Sequence, residues 1–93
     1  MKTANEIAQM TITANDRMIA ERHDRTMSYI NNTMSREIEK AANNGEVDVK
    51  FRVSSNVDRD TIERVFTENG FEVTVKGYEV KISWFKQYFK NRG

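Results

Sequence analysis

The first 43 residues carry apolar side chains at helical spacing, and this pattern predicts helix over the segment. Thr3 and Glu6 have the spacing of a capping box, with a hydroxyl at the N-cap and a carboxylate three residues later. Asn44 and Gly45 supply the stop, because either residue can take the left-handed conformation that ends many helices. At about 100° per residue, one set of side chains forms a core-facing stripe. The stripe consists of Ile12, Ile19, His23, Met27, Ile30, Met34, Ile38 and Ala41.

A second apolar stripe lies on nearly the opposite side of the same segment. It consists of Ile7, Met10, Ala14 and Met18. Either the helix breaks near residues 11–15, where Thr13 or Asn15 can recap it, or one long helix is apolar on two faces. Both structures expose an apolar N-terminal stripe that a small monomer covers poorly, because a chain of this size has only a modest core. The pattern therefore predicts a homo-oligomer.

The pattern changes to strict alternation after Gly45. Residues 47–53 alternate between apolar and charged, which is typical of a strand with one buried face. Asp58 then caps a short helix that carries Ile62, Val65 and Phe66 at helical spacing. Asn69-Gly70 provides the end of this helix. The segment is therefore expected to form a strand followed by a helix.

Two further alternating segments, residues 71–75 and 78–84, are separated by Lys76-Gly77, which predicts a two-residue hairpin turn. The remaining residues, 85–93, are aromatic and basic and predict one or two helical turns that bring Phe85 and Phe89 together. The sequence thus predicts a single α+β domain over residues 1–93. It comprises a long or broken helix (1–43), a β-α-β-β unit (46–84) and a tail (85–93), with a three-stranded sheet covered on one face by helices.

Composition removes several classes of function. The chain contains no Cys, which excludes disulfide scaffolds, Cys-based zinc sites and thiol catalysis. Its 15 basic and 14 acidic residues nearly cancel, so no overall field argues for general DNA or RNA binding. No stretch approaches the roughly 18 apolar residues of a membrane-spanning helix, and no apolar leader follows Met1. We therefore expect no membrane partner and a location in the cytoplasm.

Signatures of catalysis are nearly absent. His23 is the only histidine, and its place on the core-facing stripe predicts a half-buried structural role. The four glycines are scattered singly, so no phosphate-cradling loop is present. Asp58 and Asp60 are explained by capping, because a helix start favours negative charge. The sequence predicts a protein that is not an enzyme and uses no metal or cofactor.

One polar face of the long helix suits a phosphate-bearing ligand. It consists of Arg22, Arg25, Tyr29, Thr33, Arg36 and Lys40, lies nearly opposite the core-facing stripe, and is in line with Met18. Guanidinium groups hold phosphate oxygens, and an aromatic ring stacks on a base. The alternative is an ordinary solvated face whose charges pair with Glu21 and Glu39. Self-association through the N-terminal stripe would place this face close to the subunit interface.

The C-terminal end is the second candidate. Tyr78 and Trp84 are in phase with Val80 and Ile82, which predicts that both belong to the core. Phe85, Tyr88 and Phe89 exceed what a three-stranded sheet needs to bury, and they alternate with basic residues such as Lys86. The tail either covers the core or a neighbouring subunit, or acts as an arm that stacks on bases and clamps phosphate.

The order of the elements and the residues at which they end resemble a known group of proteins. The long helix ends at residues 38–45, the second helix ends in Asn69-Gly70-Phe71-Glu72-Val73, and the last strand ends in Ile82-Ser83-Trp84. Over residues 27–84 this is similar to short phage-encoded α/β proteins with the order helix–strand–helix–hairpin. Some of these are anti-CBASS sponges, which bind cyclic dinucleotides such as 3′3′-cGAMP in an oligomer and so silence bacterial immunity. The resemblance implies such a function, but it carries over no individual binding residue.

The combined prediction is a non-catalytic immune-evasion protein in the cytoplasm of a bacterial host, which sequesters a cyclic (di)nucleotide as an oligomeric sponge. The candidate ligand-binding residues are Arg22, Arg25, Tyr29, Thr33, Arg36, Lys86 and Tyr88. The alternative is a small phage protein that inhibits or modulates a host protein by direct binding, through the tail aromatics or the polar face of the sheet.

Overall fold

A computed structural model describes residues 1–93. In chain order its elements are α1 (Ala4–Tyr29), a π-helical turn (Ile30–Met34), α2 (Ser35–Asn43), β1 (Asp48–Arg52), α3 (Arg59–Glu68), β2 (Glu72–Lys76), β3 (Glu79–Ser83) and α4 (Phe85–Arg92). The predicted α+β layout, a long N-terminal helix followed by a β-α-β-β unit, is confirmed.

The N-terminal segment is one continuous helical rod from Ala4 to Asn43. No break occurs at residues 11–15, so the alternative of a single helix with two apolar faces is the one observed. The Thr3 side chain accepts a hydrogen bond from the Glu6 backbone N–H at 3.2 Å, which confirms the predicted cap. At the other end Gly45 has φ +83°, and the N–H of Glu46 donates to the carbonyl of Ala41 at 3.0 Å. This Schellman arrangement ends the helix where the sequence predicted.

The irregularity in the rod lies at the π turn rather than near residue 13. The Ser35 backbone N–H and hydroxyl both donate to the carbonyl of Ile30, five residues earlier, the hydroxyl at 2.9 Å. Residues four apart on an α-helix drift by about 40° around the axis, which would carry a row of contacts out of the core. A π turn contains more residues per turn than an α-helix, so residues four apart rotate less around the axis and the drift is offset. Ile30, Met34 and Ile38 therefore all stay buried.

The sheet has the strand order β1-β3-β2, and both pairings are antiparallel. Lys76 pairs with Glu79, so the two-residue turn is Gly77-Tyr78 and not the predicted Lys76-Gly77. Gly77 has φ +58°, in keeping with a type II′ turn, which favours Gly at its first central position. The shift removes Tyr78 from the strand. Tyr78 is 51% exposed, so its predicted core position is wrong, whereas Trp84 packs against the core.

The core lies between the helices and one face of the sheet. Ten buried apolar side chains form it: Ile30, Met34, Ile38, Phe51, Val53, Val57, Ile62, Phe66, Val80 and Ile82. Phe66, Phe71 and Trp84 extend it edge to face, with ring centroids 5.4 and 6.3 Å apart. The other face of the sheet carries charged and polar side chains, including an ion pair between Lys81 and Asp48 at 3.8 Å. We call this unit, residues 26–84, the body.

The N-terminal part of α1 extends beyond the body. Residues 4–20, which we call the arm, have exposed side chains throughout except for half-buried Ala14. The molecule is accordingly 69 Å long and only 21 and 19 Å across. The predicted core stripe therefore enters the core only from residue 26 onward. Ile12 and Ile19 are exposed, and so is His23, so the predicted half-buried structural role of this histidine is wrong.

Candidate functional site

A groove opens where the arm leaves the body. It lies between α1 and the loop of residues 54–57, and its volume is about 550 Å³. We call it the arm groove; its lining residues are Asn15, Met18, Ile19, Glu21, Arg22, Arg25, Ser55 and Asn56. The volume falls within the range of roughly 300–1,000 Å³ that is usual for small-molecule sites. The groove is partly open to solvent, so the chain by itself encloses a ligand only in part.

Two arginines face this groove and are held by the loop. The Arg22 Nη2 donates to the backbone carbonyl of Val57 at 3.3 Å, and the Arg25 Nη1 donates to that of Asn56 at 3.1 Å. A guanidinium has five N–H donors, so each group keeps most of its donors for another partner. The carbonyl contacts thus orient the two guanidinium groups and occupy only one N–H donor of each.

Thr26 fixes the loop against α1. Its side chain is fully buried, its hydroxyl donates to the carbonyl of Arg22 at 2.8 Å, and it accepts from the backbone N–H of Asp58 at 2.8 Å. Asp58 in turn caps α3, accepting from the N–H of Asp60 at 3.1 Å. One buried hydroxyl therefore connects the long helix to the start of α3 and positions the carbonyls that hold the arginines.

The charge around the groove is mixed but favours an anion. Arg22 and Arg25 outnumber Glu21 in the lining. Asp58 lies on the other side of Arg22. A hydrogen bond from the Thr61 hydroxyl is the main reason that the pKa of Asp58 is lowered, and the charge of Arg22 contributes to the same shift. Asp58 is therefore ionised near neutral pH and partly balances Arg22, whereas no carboxylate hydrogen-bonds to Arg25.

Only two of the seven predicted binding residues, Arg22 and Arg25, meet in the arm groove. Tyr29 is half-buried against the core, and this burial raises the pKa of its phenol. Thr33 lies in the π turn, and Arg36 lies in the first turn of α2; both are exposed and neither lines the groove. The predicted continuous polar face is thus divided, because the side of α1 that carries Arg22 and Arg25 adjoins the body instead of facing away from it.

Lys86 and Tyr88 lie at the other end of the sheet. α4 begins just after Ser83, which pairs with the first residue of β1, whereas the groove loop follows the last residue of β1. Lys86 forms an ion pair with Glu72 at 2.8 Å, and this hydrogen bond and the charge of Glu72 raise the pKa of Lys86. Tyr88 accepts a hydrogen bond from Arg92 at 3.0 Å. These two residues therefore belong to a separate surface.

That second surface is aromatic. As predicted, α4 brings Phe85 and Phe89 together, with ring centroids 6.2 Å apart. Both rings are exposed, Phe89 by 69%. The helix has no buried residue, so it contributes none to the core of the body.

Sequence reasoning missed the contribution of the loop. Ser55 and Asn56 lie between a predicted strand and a predicted helix, and they form one wall of the groove. A run of small polar residues between a strand and a capped helix indicates a loop, and binding residues are often found on loops. Nothing in the local pattern shows that this loop meets Arg22, which is 35 residues from its partner Val57.

No protein-family model, curated protein or solved structure matches this chain. None of the helices is sufficiently long and apolar to span a lipid bilayer. No group of three or more His, Asp and Glu side chains is placed to hold a metal ion.

Proposed function

We propose that this chain is a non-catalytic binding protein that sequesters a cyclic (di)nucleotide in the arm groove and works as an oligomer. The convergence of Arg22 and Arg25 on one open groove carries this proposal. Guanidinium groups bind phosphate oxygens through paired, charge-assisted hydrogen bonds. Their spacing by three residues places them on the same side of α1, so they can reach two oxygens of one ligand.

The rest of the groove suits the other parts of a nucleotide. Met18 and Ile19 offer apolar surface on which a base can pack, and Ser55 and Asn56 offer polar groups for its edge. No aromatic ring lines the groove, so stacking on Tyr29, which the sequence suggested, does not enter this proposal. A sequestering protein needs tight binding and no reacting group. The role of a phage-encoded sponge in a bacterial cytoplasm, implied by the resemblance to anti-CBASS proteins, is consistent with these features and forms part of the proposal.

The test is a binding titration of the full chain with 3′3′-cGAMP and a panel of related cyclic mono- and dinucleotides. Calorimetry is expected to show stoichiometric binding, and chromatography is expected to recover the ligand unchanged. The double substitution of Arg22→Gln and Arg25→Gln should weaken binding by at least about 100-fold, since each charged hydrogen bond contributes about 1.5–3 kcal/mol. Arg36→Gln is the matched control, because Arg36 is on the same rod but outside the groove. Absence of binding across the panel, or an equal loss with the control, would contradict the proposal.

A second candidate function is favoured by the exposed pair Phe85 and Phe89. Aromatic side chains are enriched in protein–protein interfaces, and these two rings are adjacent and exposed. In this alternative the chain inhibits or modulates a host protein by docking α4 on it. Replacement of both phenylalanines by Ser should then abolish capture of a bacterial protein from lysate, while nucleotide binding by the arm groove stays unchanged. Unchanged capture after this replacement would argue against α4 as the docking surface.

A further inference from the structure

The chain exposes more surface than a compact monomer of its mass, because the arm extends beyond the body. The accessible area of the chain is 7,120 Å², whereas a compact monomer of 10.9 kDa has about 5,600 Å². The radius of gyration is 18.2 Å, against about 12 Å for a compact domain of this length. The excess of roughly 1,500 Å² is more than the approximately 800 Å² that each partner contributes to a standard stable interface.

The excess surface includes apolar side chains on two faces of the arm. Five large side chains there are 50–68% exposed: Ile7, Met10, Ile12, Met18 and Ile19. On a helix these residues flank a seam of smaller ones, Ala4, Ala8, Thr11 and Asn15. Charged residues of the arm, Glu6, Asp16 and Arg17, lie outside this seam. A helix with this arrangement is stabilised by packing against another helix, since an isolated helix gains little from propensity alone.

We propose that the arm pairs with the arm of a second copy of this chain, in antiparallel orientation and centred between residues 11 and 12. The position of the body favours this orientation. Arg22 and Thr26, through which α1 contacts the loop before α3, lie on the same side of the helix as the seam. A parallel pair in register would therefore bring the two bodies into the same space, whereas an antiparallel pair places them at opposite ends. With this centre the two arms, residues 4–20, overlap over nearly their whole length.

The pairing brings the partner's N-terminus to the arm groove. With the centre between residues 11 and 12, residues 2–4 of the partner lie beside Ile19 and Glu21, which line the groove. The partner's Lys2 adds positive charge there, and the partner's helix start covers part of the groove that a single chain leaves open to solvent. This composite groove rests on the proposed function, whereas the pairing of the arms does not.

The first test is the oligomeric state of the full chain without ligand. Sedimentation velocity and native mass spectrometry are expected to give twice the 10.9 kDa mass at micromolar concentration. Ile7→Lys should weaken the dimer at least 10-fold, because it places a charge on the apolar side. Gln9→Lys adds the same charge on the polar side and is expected to leave the dimer intact. The circular dichroism of both variants reports whether the body is folded. A monomeric wild-type chain at 100 μM would overturn the proposal.

The second test fixes the orientation. The chain has no cysteine, so single cysteines introduced at Ala8 and Asn15 report only the chosen contacts. Under oxidation, an equal mixture of Ala8→Cys and Asn15→Cys should give the mixed disulfide, while either variant alone should give little product. Efficient self-cross-linking of each variant would indicate parallel arms and refute the antiparallel pairing. A dimer that forms but binds no nucleotide refutes the proposed function alone, whereas binding by a monomer refutes the arm pairing alone.

Discussion

Replacing Thr26 by Val removes a buried hydroxyl and retains nearly the same shape. Thr26 is fully buried, and its oxygen is the acceptor for the backbone N–H of Asp58. The valine variant leaves that N–H without a partner where α3 begins, and a buried donor without a partner costs about 1–3 kcal/mol. The added methyl group offsets this by up to about 0.8 kcal/mol. We expect the free energy of unfolding to fall by about 1–2 kcal/mol.

The assay is equilibrium unfolding in urea, followed by far-ultraviolet circular dichroism and by the fluorescence of Trp84, the only tryptophan. Protein concentration is held constant, because self-association would change the apparent stability. Each kcal/mol lost should lower the Tm by about 4–8 °C for a domain of this size. Thr26→Ser is the control, since it retains the hydroxyl and loses only a methyl group.

Amide hydrogen exchange distinguishes the loss of the Thr26–Asp58 hydrogen bond from the change in side-chain packing. The Asp58 amide should exchange faster in Thr26→Val relative to the amides of β3, and it should stay protected in Thr26→Ser. The valine variant should also weaken ligand binding, because the loop carbonyls that hold Arg22 and Arg25 lose their anchor. A valine variant as stable as the wild type within about 0.5 kcal/mol, with unchanged Asp58 protection, would show that this hydroxyl does not hold the loop to α1.

Three further predictions test the fold. Met34→Ala should lower the free energy of unfolding by about 2–5 kcal/mol because Met34 is fully buried. Met18→Ala on the arm should leave the stability of the body nearly unchanged. Both substitutions are compared by urea unfolding in a chain that also carries Ile7→Lys, so that both are measured in a monomer. Gly45→Ala should cost about 1–2 kcal/mol through its φ of +83° alone, since no atom lies within 4 Å of an added Cβ, and a loss below about 0.3 kcal/mol would contradict the strain. Asp58 has a lowered pKa, so the stability that its charge gives is complete above pH about 4–5 and is lost as the pH falls through the folded-state value. Asp58→Asn should retain the cap without this dependence, so the stability difference between wild type and variant should shrink from pH 6 to pH 2.5, and a constant difference would refute the assignment.

Helix caps, turns and hydrophobic periodicity could be predicted from the sequence because they depend on neighbouring residues. Thr3, Asp58 and Gly45 act within four or five residues of the groups they satisfy, and the predicted helix ends are confirmed at each of them. The hairpin turn was misplaced by one residue because a glycine can occupy either central position. That single step moved Tyr78 from the expected core to an exposed turn, where Arg59 lies 4.7 Å from its ring centroid.

Local sequence pattern was enough to predict the order of helices and strands, the apolar surplus of the N-terminal helix and the absence of cysteine chemistry. These follow from repeats of 3.6 and 2 residues and from composition, which need no knowledge of distant contacts. The tertiary structure alone decided where the body ends along α1, and therefore that Ile12, Ile19 and His23 are exposed while Thr26 is buried. It also decided that Arg22 and Arg25, but not Arg36, meet the loop of residues 54–57. Periodicity assigns a residue to a side of a helix, but the length over which that side is covered depends on the elements packed against it.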